Sequence, residues 1–188
     1  MRETKATACT AFGDVMNIAL IGKTGSGKTT VAKSLSYNFG LQVLDSKIFH
    51  EYVKSQGTDW QIMQRALQTG EYAPDYLLSR ALELKLLKST GNKFVIDNLP
   101  CVAFLETFEK HKHLNFAFHL QVSDEESMHR ISARARETNI TQQFKNRKLA
   151  FEANFNQLKN SLGQKMITID AHKAPEEVYK QIESIIIS

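Results

Sequence analysis

The chain has 188 residues, of which 42% are hydrophobic and 23% charged, and its formal net charge is +4. This length and balance fit one globular domain with a sizeable core and leave little room for a second. The charge is mild and no long Lys/Arg run is present, so we expect no nucleic-acid partner. No apolar run approaches the length of a membrane span, so we expect no membrane partner either.

Cysteine usage and the amino-terminal segment bear on the compartment. Cys9 and Cys101 are far apart in the sequence and form neither a disulfide framework nor a CxxC zinc pair. We therefore expect a reducing, cytoplasmic setting. We also expect a monomer. The segment 6–12 is mixed polar and too short for the apolar region of a signal peptide, and residues 1–14 are interpreted as a flexible tail before one domain at 15–188.

Apolar segments alternate along the chain with segments of helical periodicity. The predicted strands are 15–21, 41–44, 94–96, 116–122 and 165–169. The predicted helices are 28–37, 46–55, 60–68, 75–88, 102–110, 124–134, 141–162 and 175–187. Such alternation predicts a parallel sheet with helices on both faces, and ligands bind beyond the carboxyl ends of its strands.

Residues 22–29 read G-K-T-G-S-G-K-T and fit the phosphate-loop pattern G-x-x-x-x-G-K-[ST]. Glycines let consecutive N–H groups converge on one anion, and the following helix adds its positive end. Lys28 supplies a charge for the β and γ phosphates, and the Thr29 hydroxyl is placed for Mg²⁺. We therefore predict that ATP and Mg²⁺ bind here. The predicted binding residues are Gly22, Lys23, Thr24, Gly25, Ser26, Gly27, Lys28, Thr29 and Thr30.

An apolar run ends in an acid at Asp97, after Phe94-Val95-Ile96. A carboxylate at the ligand edge of a strand can hold Mg²⁺ through water. The alternative is that Asp97 caps the next helix. Beside a phosphate loop, the metal role is favoured.

Four of the seven arginines lie close together in the second half of the chain. They are Arg130, Arg134, Arg136 and Arg147. Arg147 falls on one helical stripe with Phe144 and Phe151, the side that is expected to pack inward. A charge there needs an anion, either a buried carboxylate or a phosphoryl group in transfer. The phosphate loop favours the second interpretation.

The order of these motifs resembles the adenylate kinase family of nucleoside monophosphate kinases, from about residue 15 to the C-terminus. The resemblance rests on the phosphate loop, on G-E-Y-A-P-D at 70–75, on V-I-D-N-L-P at 95–100 and on the arginine set. It implies a P-loop NTPase three-layer sandwich with a five-stranded parallel sheet. It also implies an acceptor-binding helical segment near 45–75 and a short lid at about 135–140.

The same resemblance assigns roles to individual residues. Arg130 would lie against the adenine, beside a loop at 170–174. Arg134, Arg136 and Arg147 would act with Lys28 on the phosphates in transfer. The acceptor half departs from the family pattern: Glu51, Cys101 and Leu105 stand where the family has two arginines and a base-reading glutamine, and Thr138 and Asn139 replace two aspartates.

Three functions follow from this pattern. The first is transfer of the γ-phosphoryl group of MgATP to a small phosphate acceptor, a nucleoside monophosphate. The second is a P-loop kinase of a hydroxylated metabolite, with Asp45 or Glu51 as the base. The third is a non-catalytic relative that binds the nucleotide and moves its lid.

Overall fold

The computed structural model describes residues 15–46, 48–49, 52, 59–69, 73–134 and 140–188, and for six helical residues it describes the backbone only. Those six are Trp60, Leu67, Arg134, Ile140, Thr141 and Gln143. The strands are β1 (Met16–Ile21), β2 (Gln42–Leu44), β3 (Lys93–Ile96), β4 (Phe116–Gln121) and β5 (Met166–Asp170). The helices are α1 (Lys28–Phe39), α2 (Asp59–Thr69), α3 (Asp75–Leu87), α4 (Val102–His111), α5 (Asp124–Arg134), α6 (Ile140–Leu162) and α7 (Pro175–Ile187), with a 3₁₀ turn at Gly163–Lys165.

The strands form one sheet in the order β2-β3-β1-β4-β5, and every neighbouring pair is parallel. The predicted α/β class and the five-stranded parallel sheet are therefore confirmed. In the predicted helix at 46–55, Ile48, Phe49 and Tyr52 are helical and Ser46 lies in a turn, while the other positions are outside the described residues. The predicted tail at 1–14 and residues 135–139 of the predicted lid lie outside the described residues, and residue 140 of that lid is the first residue of α6.

The central strand β1 is buried on both faces, which explains its continuous apolar sequence. Ala19 and Ile21 face a cluster that includes apolar side chains of α3, α4 and α6. Ile18 and Leu20 face a second cluster that includes apolar side chains of α1 and α7. The phosphate loop thus leaves the sheet from the middle of three packed layers.

One polar side chain, Asn17, lies fully buried inside this apolar strand. Its Nδ2 donates to the His113 carbonyl (2.7 Å), and its Oδ1 accepts from the Phe94 N–H (3.0 Å). The Asn17 N–H donates to Asn115 Oδ1 at 2.8 Å. These bonds satisfy the buried amide and fasten β1 to β3 and to the chain entering β4.

The carboxyl ends of β1, β2 and β3 meet at one edge. The Asp97 N–H donates to the Leu44 carbonyl (3.0 Å), and the Leu99 N–H donates to the Leu20 carbonyl (3.0 Å). Because β1 has β3 on one side and β4 on the other, the crossovers open a crevice at this edge. No helix among the described residues has both the length and the apolar character needed to cross a membrane.

Candidate functional site

Backbone geometry explains the glycines of the loop at 22–29. Gly22, Gly25 and Gly27 have φ angles of 151°, 89° and 96°. A Cβ on Gly22 would lie 2.7 Å from the Leu120 carbonyl oxygen, and one on Gly25 would lie 2.7 Å from the Ser127 carbonyl oxygen. The loop therefore packs directly against β4 and α5, which only glycine permits at these positions.

The Lys28 ammonium lies within the curl of this loop. Its Nζ donates to the carbonyl oxygens of Gly22 (2.5 Å) and Lys23 (2.8 Å). Burial lowers the pKa of Lys28 to about 8, against the opposing effect of the Asp97 carboxylate. A poorly solvated cation of this kind gains stability when a polyanion enters the loop.

Thr29 and Asp97 come together at the edge of the sheet. Thr29 Oγ1 donates to Asp97 Oδ2 at 2.9 Å. The second carboxylate oxygen, Oδ1, is buried and has no hydrogen-bond partner among the described residues. Burial is the main cause of the raised pKa of Asp97. Hydroxyl and carboxylate oxygens are the donors that Mg²⁺ prefers, so these residues fit the predicted ion.

The loop opens into a cavity of about 440 Å³. Seven of the nine predicted loop residues line it: Gly22, Thr24, Gly25, Gly27, Lys28, Thr29 and Thr30. The remainder of the wall is largely apolar and comes from Leu44, Ile48, Phe49, Met63, Ala66, Ala73, Leu78, Pro100, Phe104 and Phe151. Its polar residues outside the loop are Asp45, Ser46, Asp97, Asn98 and Arg147. One continuous space therefore contacts both the phosphate loop and the predicted acceptor-binding segment.

Arg147 lines this cavity from α6. Phe144 and Phe151, on either side of it along the helical stripe, are both buried, which confirms that this side of α6 packs inward. No carboxylate pairs with Arg147 among the described residues, so the alternative of a buried salt bridge finds no support there. A guanidinium facing a cavity with Lys28 is suited to bind phosphate oxygens.

Arg130 occupies a different place from Arg147. Its Nε donates to Glu126 Oε1 (2.6 Å), and its Nη2 donates to the His172 carbonyl oxygen (3.2 Å). Arg130 also borders a small depression together with Gly27 and Pro175. The loop at 170–174 therefore lies beside the phosphate loop, where the resemblance puts the adenine.

Lys23 and Ser26 are the two loop residues that do not line the cavity. Ser26 is buried, and its Oγ has no partner within the described part of the chain. Lys23 pairs with Asp124, whose other carboxylate oxygen pairs with Lys148. The hydrogen bond from Lys148 is the main cause of the lowered pKa of Asp124, and the hydrogen bond from Lys23 lowers this pKa as well. Sequence reasoning missed this arrangement, because no local pattern relates three residues from a loop and two helices.

Two of the acceptor positions that depart from the family pattern, Cys101 and Leu105, are described by the structure. Both are buried in the core and neither lines the cavity. Burial raises the pKa of the Cys101 thiol to about 12, which makes it a poor nucleophile. Arg65 and Arg80 do not take the place of the missing family arginines, because both are exposed and line no part of the cavity.

Several predicted residues lie beyond what the structure describes. Arg136, Glu51, Thr138 and Asn139 are outside the described residues, as is the side chain of Arg134. The catalytic roles of Arg134 and Arg136 therefore stay predictions. The same holds for the roles of Lys28 and Arg147, although the structure brings both to one cavity.

A protein-family model described as an AAA domain matches residues 18–157, from β1 into α6. The matched region contains the phosphate loop, Asp97 and Arg147 and makes up most of the chain. The chain belongs to the AAA domain family. Its five-stranded parallel sheet with a phosphate loop after β1 is the P-loop NTPase fold.

This AAA domain is also similar to curated adenylate kinases. It is 32% identical to that of Pseudothermotoga lettingae over 128 residues, which are 63% of this chain and 58% of that protein. It is 29% identical to that of Thermococcus onnurineus over 126 residues, 63% of this chain and 56% of that protein. It is 31% identical to the adenylate kinase of Pyrococcus abyssi over 126 residues, which are 63% of this chain and 57% of that protein. The match spans less than three fifths of these relatives. It confirms the adenylate kinase-like resemblance and a kinship with nucleotide kinases.

Proposed function

We propose that this AAA domain is an ATP-dependent phosphotransferase that moves the γ-phosphoryl group of MgATP to a nucleoside monophosphate. The observation that carries the proposal is the shared cavity. Its wall joins the phosphate loop and the segment expected to bind the acceptor, and it contains Arg147 without a carboxylate partner among the described residues. Binding of ATP alone does not require a second cation facing the same space.

The loop residues hold the triphosphate in this mechanism. Backbone N–H groups of the loop and the amino end of α1 bind the phosphates, and the Lys28 ammonium exchanges its two carbonyl partners for phosphate oxygens. Thr29 and Asp97 would hold Mg²⁺ through their side-chain oxygens. When bound, Mg²⁺ neutralises charge on the β and γ phosphates.

Transfer breaks the bond between the γ-phosphorus and its bridging oxygen and forms a bond from phosphorus to an acceptor oxygen. The leaving group is ADP. A phosphate acceptor is already an anion and needs no general base, so positioning and charge neutralisation do most of the catalysis. Lys28 and Arg147, with Arg134 at the end of α5 and Arg136 of the predicted lid, neutralise the transferring group. Lid closure at 135–140 excludes water and suppresses hydrolysis.

A coupled assay of ADP formation from MgATP tests the proposal. The panel contains AMP, GMP, CMP, UMP, their deoxy forms and a sample without acceptor. We expect one monophosphate to stimulate ADP formation well above the acceptor-free rate. Tight MgATP binding without stimulation by any member would refute a nucleoside monophosphate as acceptor.

A second candidate is transfer to the hydroxyl group of a small metabolite. Two observations favour it: Asp45 lines the acceptor part of the cavity, and the surrounding wall is apolar. Within the described residues, the only cationic side chains in that wall are Lys28 and Arg147. A neutral acceptor needs a base to take its proton, and Asp45 is the described candidate, with Glu51 outside the described residues.

Asp45→Asn separates the two candidates. With a hydroxyl acceptor, loss of the base lowers kcat by about 10²- to 10⁴-fold while MgATP affinity stays the same. With a phosphate acceptor, the same variant retains kcat within a few-fold. Ser46→Ala, a neighbouring change in the same wall without loss of charge, serves as the control.

A further inference from the structure

One carboxylate, that of Asp124 at the start of α5, is shared between two lysines from different parts of the fold. Its Oδ1 pairs with Lys23 of the phosphate loop, and its Oδ2 pairs with Lys148 of α6. Each oxygen therefore has its own cation. The three side chains join the phosphate loop, α5 and α6, and we name them the Asp124 bridge.

Both lysines of the Asp124 bridge are neighbours of the cations in the cavity. The Lys23 carbonyl oxygen accepts the hydrogen bond from Lys28 Nζ at 2.8 Å. Lys148 directly follows Arg147, which lines the cavity from the same turn of α6. The bridge thus connects the backbone that holds Lys28 to the helical turn that presents Arg147.

The position of Arg147 depends on that helical turn. Among the described residues no hydrogen bond or ion pair holds the Arg147 guanidinium, so its location follows from the placement of the α6 backbone. The preceding residue, Asn146, donates from Nδ2 to the Thr69 carbonyl of α2 at 2.7 Å. This contact fixes the turn on the acceptor side, and the Asp124 bridge fixes it on the phosphate side. The Lys148–Glu152 pair (3.8 Å) lies within α6 and does not connect this helix to another element.

We propose that Asp124, through Lys148, is a positioning residue that holds Arg147 in register with the phosphate loop. The proposal rests on the proposed phosphotransfer function. Lys23, Asp124 and Lys148 have side chains 23%, 40% and 32% exposed, so the bridge adds little to global stability. Its effect is on geometry, because small misplacements of a group that binds the transferring phosphoryl reduce the rate strongly.

Lys148→Met tests the α6 side of the bridge and leaves the Lys23–Asp124 pair in place. The expected result is a fall in kcat of about fivefold, with the KM for MgATP changed by less than about twofold. Lys148→Arg keeps a cation opposite Asp124 and should restore most of the rate. Lys145→Met is the matched control, because it removes the same charge from the exposed side of α6 one turn away.

The decisive readout is whether the effect of Lys148→Met on kcat depends on the presence of Arg147. If the bridge acts by positioning Arg147, then Lys148→Met has no further effect in an Arg147→Ala background. An equal loss in both backgrounds would overturn the proposal, since it would mean that Lys148 acts through the general electrostatic field. Unchanged kcat in the single variant, with Lys145→Met as reference, would overturn it too.

The same double-mutant comparison of Lys148→Met and Arg147→Ala can be made by measuring binding, which does not require turnover. Calorimetric affinities for MgADP with aluminium fluoride, which mimics the transferring phosphoryl group, are measured for the wild type, both single variants and the double variant, with Asp124→Asn as a second way to break the bridge. Non-additive losses of affinity support the Asp124 bridge even if no acceptor is ever phosphorylated. Additive losses overturn the bridge even if phosphotransfer is found, so the two proposals fail separately.

Discussion

The phosphate side and the acceptor side of the cavity differ in how their chemistry is built. On the phosphate side, backbone, ammonium, hydroxyl and carboxylate groups converge within a few ångströms around the loop at 22–29. On the acceptor side, the described wall is mostly apolar, and the two family positions at Cys101 and Leu105 are part of the core. One side therefore suits a polyanion, while the described wall of the other side carries few charged groups.

The largest expected effect is on the phosphate side, at Lys28. Lys28→Ala removes the cation for the β and γ phosphates, and we expect kcat to fall by about a thousandfold. The fold should persist, because the lysine ammonium bonds only to loop carbonyls. Phosphotransfer assays measure the loss of kcat, and a circular-dichroism melt measures whether the fold persists. Near-normal turnover in a folded variant would refute the mechanism.

Arg147 lies at the junction of the two sides, and its replacement is expected to have the next largest effect. Arg147→Ala should lower kcat by about a hundredfold, since the charge it stabilises develops on the transferring group. Thermal stability should change little, because no described residue pairs with it. Arg80→Ala, which removes an exposed arginine paired only with Glu83, is the control. Equal effects of both variants would contradict the role of Arg147.

The loop backbone offers a matched pair of glycines for a stability test. Gly25→Ala puts a Cβ 2.7 Å from the Ser127 carbonyl oxygen, and we expect a loss of about 2–3 kcal/mol in the free energy of unfolding. Gly27→Ala meets no atom within 4 Å and bears only the cost of its positive φ, about 1–2 kcal/mol. Denaturant titration measures the free energy of unfolding of the two variants and of the wild type. A reversed order would show that the loop does not pack on α5 as described.

The smallest effect concerns His119, whose ring lies against Phe155 with centroids 4.5 Å apart and the ring planes tilted by 43°. Burial, followed by the charges of Lys159, Lys23 and Lys28, lowers the pKa of His119 from its ordinary 6.5 to about 4. The unfolded chain therefore binds more protons between these values, and the native state loses stability as pH falls from 6.5 to 4.

Replacing this imidazole removes the titration. We expect His119→Phe to show a shallower loss of unfolding free energy between pH 6.5 and 4 than the wild type, measured by urea titration across that range. Parallel pH profiles for the two proteins would contradict a lowered pKa for the partly buried His119.

The sequence predicts the fold well because its signals are local. Periodicity and the phosphate-loop pattern need only neighbouring residues, and they locate the described strands and helices to within two residues. The inward direction of Arg147 follows from its spacing to Phe144 and Phe151. A buried Asn17 inside β1 has no such signal, since its partners come from β3 and the segment before β4.

The site is predicted in part for the same reason. The loop residues and Asp97 follow from motifs, and the structure brings Thr29 and Asp97 into contact. The burial of Cys101 and Leu105 depends on how α4 packs against its neighbours, which spacing along the chain does not encode. The Asp124 bridge is likewise tertiary, because its three residues are separated by 101 and 24 positions.

The most direct test of the central claim follows the γ-phosphoryl group itself. MgATP labelled in the γ-phosphate is incubated with the protein and the nucleoside monophosphate panel, and the products are separated by mass. We predict label in the terminal phosphate of one nucleoside diphosphate, and none with Lys28→Ala. Label found only in inorganic phosphate, or left wholly in ATP, would contradict phosphotransfer to a nucleotide.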